Sequence, residues 1–140
     1  MSLLQAKLYI SYDLLIEKRK IDITCYPIET ILAEKIESIL SKNITTTRMK
    51  DFYDCYMLSK LYLKDLNKNN LILALKNTTK VRKTEFIFND IKETIDLISN
   101  DDNLNFLWQA YSSQFGYAKD INFEDRIQQL TLILKFINLI

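Results

Sequence analysis

The sequence predicts a mainly α fold: an N-terminal β-hairpin followed by a bundle of about five or six helices. Three observations carry this reading. The 140 residues hold one Gly and one Pro, too few for the tight turns of a sheet-rich protein. Apolar residues recur at helical spacing from Ile28 onward. Hydrophobic residues make up 48% and charged residues 26%, an ordinary globular balance in a chain long enough for one core. Residues 1–140 therefore read as a single domain, with the hairpin over 1–27 and the helical region over 28–140.

The elements follow in order. "AKLYISYDLLIEKRKIDITCYP" alternates apolar and polar residues on both sides of "EKRK", which predicts strands near Lys7–Ile16 and Lys20–Tyr26. Pro27 ends the second strand and suits the first turn of a helix. Ile28, Ile31, Leu32, Ile36, Ile39 and Leu40 then mark helix one, to about Ser41. "NITTT" is a break, with Thr47 as the expected N-cap of helix two, Arg48 to Leu63. Its apolar set is Met49, Phe52, Tyr53, Tyr56, Met57 and Leu61. Helix three runs from about Asn70 to Val81, and helix four is helical from Asn89, with Ile91, Ile95 and Ile98 on one side. Asp101 or Asp102 caps helix five, whose Trp108, Tyr111 and Phe115 share a face with Leu104 and Leu107 and so read as core in preference to a stacking platform. Gly116 stands where a helix C-terminus uses glycine. Helix six follows the "YAKDIN" loop from about Phe123.

Composition excludes several chemistries. There is no His, so no Ser/His/Asp triad, His proton shuttle or His metal ligand exists. One glycine cannot build a phosphate-cradling glycine loop. A net charge of +1 argues against a strongly basic nucleic-acid face. Cys25 and Cys55 are isolated, and the N-terminus lacks a secretory pattern; both features predict a reduced, cytoplasmic protein with buried thiols. The C-terminal "LTLILKFINLI" is too short and too interrupted for a transmembrane span.

The chemistry concentrates in "PIETILAEKIESILSKNITTTRMKDFYDCYML". Lys35 sits mid-helix, flanked by apolar positions. A lysine there can snorkel, with Glu34 and Glu37 in reach for ordinary helix pairing. Arg48, Lys50, Asp51 and Asp54 fall within the first two turns of the next helix. Asp51 and Asp54 share a face, interact favourably with the helix dipole, and repel each other unless a cation sits between them. Arg48 can pair with Asp51. The functional reading of the same residues is an anion cradle. Lys35, Arg48 and Lys50 supply positive charge, the helix N-terminus supplies free N–H groups, and Asp51 or Asp54 holds Lys35 or Arg48 in position.

That stretch resembles the AbiEii/AbiGii nucleotidyltransferase-toxin family, a branch of the polymerase-β-like nucleotidyltransferases of phage abortive infection and toxin–antitoxin systems. The resemblance lies in Tyr26, Glu29, Thr30, Ala33, Glu34 and Lys35, and in Thr47 through Asp54. "LWQAYSSQFGYAKDINFED" looks like the family's C-terminal helices. The family implies metal-dependent nucleotide transfer from an NTP, with Mg2+ as cofactor, RNA as acceptor in some relatives, and an antitoxin partner. Set beside that chemistry, the charge cluster reads as the nucleotide-gripping half of an active site, with Lys35, Asp51 and Asp54 as expected catalytic residues, Lys35, Arg48 and Lys50 as expected nucleotide-binding residues, and no residue of this chain expected as a metal ligand.

The chain departs from the family pattern in one place. The family's Gly-Ser or Gly-Gly turn with its Asp-x-Asp metal pair is missing; Asp22 in "KIDIT" lies after the position of the catalytic strands. The expectation is a C-terminal part of an α+β nucleotidyltransferase without its N-terminal catalytic core. It would be inactive alone with no cofactor bound, and would represent a truncated gene, a split gene or an expressed fragment. The alternative is a non-catalytic helical module that binds a partner protein, such as an antitoxin or the missing N-terminal half, or RNA. The RNA version would use the basic run Lys76, Lys80, Arg82 and Lys83, whose plainer reading is a solvated helix end.

Overall fold

The structure, a computed structural model, describes residues 27–140. The expected hairpin and Cys25 lie outside the described residues. Within them the chain is helical almost throughout: α1 (Ile28–Lys42), α2 (Met49–Tyr62), α3 (Lys68–Arg82), α4 (Ile91–Ser99), α5 (Asp102–Gln114) and α6 (Phe123–Phe136). Single 3-10 turns at Asn43–Thr45, Leu63–Asp65, Glu85–Phe88 and Gly116–Ala118 connect them. The six helices fall where periodicity puts them, and no strand occurs among the described residues.

The starts and stops have local causes. Asn67, Asp101 and Asn122 each accept a hydrogen bond from the amide three residues on, at Asn70, Leu104 and Asp125. Asn122 and Asp125 close a reciprocal capping box, which satisfies two amide donors at once. The α3 cap at Asn67 places the helix start two residues earlier than the periodicity of its leucines suggests.

Two expected caps differ. Helix α2 is preceded by Arg48, which makes no side-chain cap bond. Thr46, not Thr47, contributes a side chain there, its Oγ1 accepting from the Arg48 N–H at 3.2 Å. Gly116 is not a left-handed helix stop: no glycine has positive φ. Helix α5 ends at Phe115 in an extended conformation, and Gly116 opens the 3-10 turn that follows.

α1 is the spine. It buries Ile28, Leu32, Ala33, Ile36, Ile39 and Leu40 and packs on both α3 and α2. Each Ile or Leu side chain among them contributes about 1.5–3 kcal/mol by leaving water. Two charged ties fix α3 to it. Glu29, fully buried in the first turn of α1, accepts from the Asn67 N–H at 2.9 Å. Glu37 pairs with Arg82 in the last turn of α3, and so serves α3 and not Lys35. α2 lies between α1 on one side and α5 and α6 on the other. Its burial is consequently not a narrow stripe: Met49, Asp51, Phe52, Tyr53, Asp54, Cys55, Leu58 and Ser59 are all buried. Leu61, expected in the apolar set, is 52% exposed.

Candidate functional site

The site sits where α1 crosses the start of α2. Lys35 lies one turn past Ile31 and Leu32, on the edge of the buried stripe. Its stem is covered by the bundle and its side chain is only 18% exposed. Asp51 and Asp54, three positions apart, present their carboxylates to the same side of α2. The ammonium of Lys35 is wedged between them, 3.3 Å from Asp51 Oδ1 and 3.2 Å from Asp54 Oδ2. This is the cation that two buried like charges on one face require. The lysine does not snorkel to solvent.

Further contacts fix the carboxylates. Ser38, one turn after Lys35, donates its hydroxyl to Asp51 Oδ2 at 2.9 Å. Arg48 Nε lies 3.6 Å from the same oxygen. Burial pushes the Asp54 carboxyl above the ordinary aspartate range, with a smaller push from Asp51; Lys35 and Lys50 pull the other way. The Cys55 thiol behind them is free and fully buried. Burial pushes it up to about 12, and the charges of Asp54 and Asp51 add to that.

The five residues singled out from sequence thus converge, but in two tiers. Lys35, Asp51 and Asp54 form a shielded core, and the 60% exposed Arg48 side chain stands outside it. Lys50 is half-buried and close enough for its charge to act on Asp54. The helix terminus contributes less than expected. The amides of Arg48, Met49 and Asp51 donate to Thr46 Oγ1, Thr47 O and Arg48 O, so these donors already have local partners. Among the described residues no group of three His, Cys, Asp or Glu could hold a metal ion, and both carboxylates of the pair are turned onto Lys35.

Sequence reasoning missed Ser38 as a neighbour, and it read as core an aromatic group that runs from α2 to the Gly116 turn. Tyr53, next to Asp54, packs its ring 4.7 Å from Tyr117 and 6.4 Å from Tyr111. Trp108 is buried as expected of core, but Tyr111 and Phe115 are only partly buried and Tyr117 is 54% exposed. The Tyr111 and Tyr117 hydroxyls are hydrogen-bonded at 2.8 Å. Behind this group Arg126 is buried in a cage of rings, its guanidinium carbon 3.4 Å from the Trp108 centroid, 4.2 Å from Phe123 and 5.0 Å from Phe52. Among the described residues Nε, Nη1 and Nη2 find no hydrogen-bond partner. Burial lowers its pKa to about 8, against smaller upward pushes from Asp125 and Tyr111. No sequence pattern distinguishes it from a surface arginine.

Among the described residues no helix is long and apolar enough to cross a membrane. No curated protein and no solved structure gives a significant match to the chain. One family model does match, over residues 6–129, described as nucleotidyl transferase AbiEii toxin, type IV TA system. That span takes in Lys35, Arg48, Lys50, Asp51 and Asp54 and most of the 140 residues. The chain belongs to the AbiEii family of nucleotidyltransferase toxins.

Proposed function

We propose that residues 28–140 are the nucleotide-gripping helical part of an AbiEii-type toxin. In this reading Lys35 faces the triphosphate of an NTP, and Arg48 and Lys50 flank it. Asp51 and Asp54 hold the lysine ammonium in place. The observation that carries the reading is the Lys35 wedge, which fixes one flexible side chain between two buried carboxylates. A lysine held this way loses little further rotamer freedom when a phosphate arrives, and a preorganised cation is worth more to a developing charge than a mobile one. Mg2+ belongs, in this reading, to the family's Asp-x-Asp pair, which this sequence does not contain. The chain alone is therefore inactive. With a catalytic core it would transfer a nucleotide to an acceptor such as RNA, in a system that includes an antitoxin, and act in abortive infection in the cytoplasm.

The test is a titration of the chain with inorganic tripolyphosphate and with ATP, read by 31P NMR. Both are expected to bind in the millimolar range. Lys35→Gln and the exposed Arg48→Ala should each weaken both ligands about tenfold or more, the scale of one charge-assisted contact. Binding unchanged in Arg48→Ala and in a folded Lys35→Gln would show that the cluster is helix-surface charge and end this reading.

A further inference from the structure

The aromatic group beside the ion cluster has the wrong exposure for core alone. Tyr53 and Tyr111 form its inner layer. Phe115 and Tyr117 form its outer layer, their rings 5.5 Å apart and inclined at 30°. Phe115 also lies 4.8 Å from Tyr111. The outer layer is held from behind in two ways: the Tyr117 ring packs on Tyr53, and its hydroxyl is bonded to that of Tyr111. A half-exposed tyrosine would ordinarily sample several rotamers; these two contacts restrain this one.

Position relates the rings to the charges. Tyr53 precedes Asp54, whose carboxylate meets Lys35 at 3.2 Å. The charge of Asp54 reaches both Tyr53 and Tyr111. The aromatic group and the ion cluster thus meet at neighbouring residues of α2, Tyr53 and Asp54, with Arg48 and Lys50 at the start of the same helix. A ligand that needs both surfaces is one with a flat π-system joined to phosphates, which is a nucleotide. Aromatic rings accept any base, because every base has a π-face.

The geometry points to Tyr117, with Phe115 at its side and Tyr53 and Tyr111 behind, as the stacking platform for the nucleobase whose phosphates face Lys35, Arg48 and Lys50. This rests on the nucleotide reading above and adds a second, separable half to it. Tyr117 is a binding residue here. Tyr53 and Tyr111 act through it.

The experiment compares ATP with inorganic tripolyphosphate on the intact chain. Phosphate binding is read by 31P NMR, and base contact by saturation transfer to the adenine protons. The variants are Tyr117→Ala, Tyr117→Phe and Phe115→Ala, each checked for helical content by circular dichroism. Tyr117→Ala should weaken ATP about tenfold, in keeping with one lost base stack, and leave tripolyphosphate unchanged. Tyr117→Phe keeps the ring and should retain most ATP affinity. The adenine protons should receive saturation in the parent and lose it in Tyr117→Ala. ATP affinity unchanged in Tyr117→Ala overturns the platform while leaving the phosphate site standing. So does phosphate binding without saturation of the base. Equal weakening of ATP and tripolyphosphate makes the rings structural and overturns it as well. If neither ligand binds the parent chain, the nucleotide reading fails and the platform falls with it.

Discussion

The Lys35 ammonium lies 3.2 Å from Asp54 Oδ2 across the contact between α1 and α2, and the lysine is itself mostly covered. Removing it does more than delete a surface charge: Asp51 and Asp54 are left facing each other in a buried site. Lys35→Ala should therefore lower stability by about 3–5 kcal/mol, the cost of breaking a buried ion pair from one side. Adding Asp54→Asn should recover part of that loss, giving a coupling of about 1–3 kcal/mol in a double-mutant cycle. Urea unfolding of the four proteins measures it; simple additivity would contradict the wedge.

If, as proposed, the catalytic carboxylates are supplied from elsewhere, activity is read on the chain combined with the catalytic half of a close relative. Lys35→Ala should lower nucleotide transfer about a hundredfold or more, the scale of one preorganised electrostatic contact. Asp51→Asn should lower activity with little change in metal affinity, since Asp51 bonds Lys35 and Ser38. A large shift in the metal concentration needed by Asp51→Asn would make it a metal ligand instead.

Asp54 should titrate above the ordinary aspartate range, because burial opposes its charge more than Lys35 favours it. The sign follows from proton uptake. Between about 3.9 for the unfolded aspartate and the higher native value, the folded state keeps a proton that the unfolded state has lost. Stability from this group therefore falls as pH rises through that window. The stability difference between the parent and Asp54→Asn should shrink or reverse accordingly, and carboxyl NMR should locate the midpoint.

Cys55 should be inert in the native protein. With its thiol pushed up to about 12 and its side chain buried, thiolate reagents should reach it only on unfolding. A Cys25→Ser background isolates the signal. Above about 8.5 the unfolded thiol ionises first, so this group withdraws stability as pH rises toward 12. Fast labelling under native conditions would refute the burial.

Arg126 makes the opposite prediction. Its guanidinium is buried, stacked on three rings and, among the described residues, without a hydrogen bond. Cation–π contacts return about 0.5–2 kcal/mol each, against several for desolvating an ion. Arg126→Met should thus be neutral or raise stability by about 1–3 kcal/mol. The unfolded arginine holds its proton to above 12 while the native value is about 8, so stability of the parent rises with pH above 8 and the advantage of Arg126→Met should diminish there. Thermal melts at pH 7 and pH 10 read both effects. A large loss at pH 7 would mean that the stacking outweighs the desolvation.

The helices were legible because their apolar residues obey a 3.6-residue period that tertiary packing reinforces. The cluster was legible because Lys35, Asp51 and Asp54 are charged residues beside apolar stripes, where charge is costly unless paired. What escaped was set by three-dimensional neighbours. The α2 start is shaped by Thr46 and not by the expected Thr47, because the helix begins one residue later, at Met49, and the Thr46 hydroxyl accepts from the Arg48 N–H ahead of it. Gly116 looked like a left-handed stop, but Phe115 ends the helix in an extended conformation. Tyr117 lies in the C-terminal stretch that resembles the family, but that likeness assigns it no role, and Arg126 carries no periodic signal; only the meeting of α2, α5 and α6 gives them their surroundings.

The ties from α1 to the two ends of α3 have a mechanical consequence. Glu29 grips the α3 start at Asn67, and Glu37 grips its last turn at Arg82. A rod pinned near both ends can neither slide along its neighbour nor swing from it, so α1 and α3 should open to solvent as one cooperative unit. Amide hydrogen exchange should give the two helices matching protection, with Glu37→Ala releasing the last turn of α3 first. The lysine at the centre of the site rides on that stiff pair. The rings around Tyr117 ride on α5 and the short turn after it, outside the clamp. Relative motion between the two halves of the site would then come from the aromatic side.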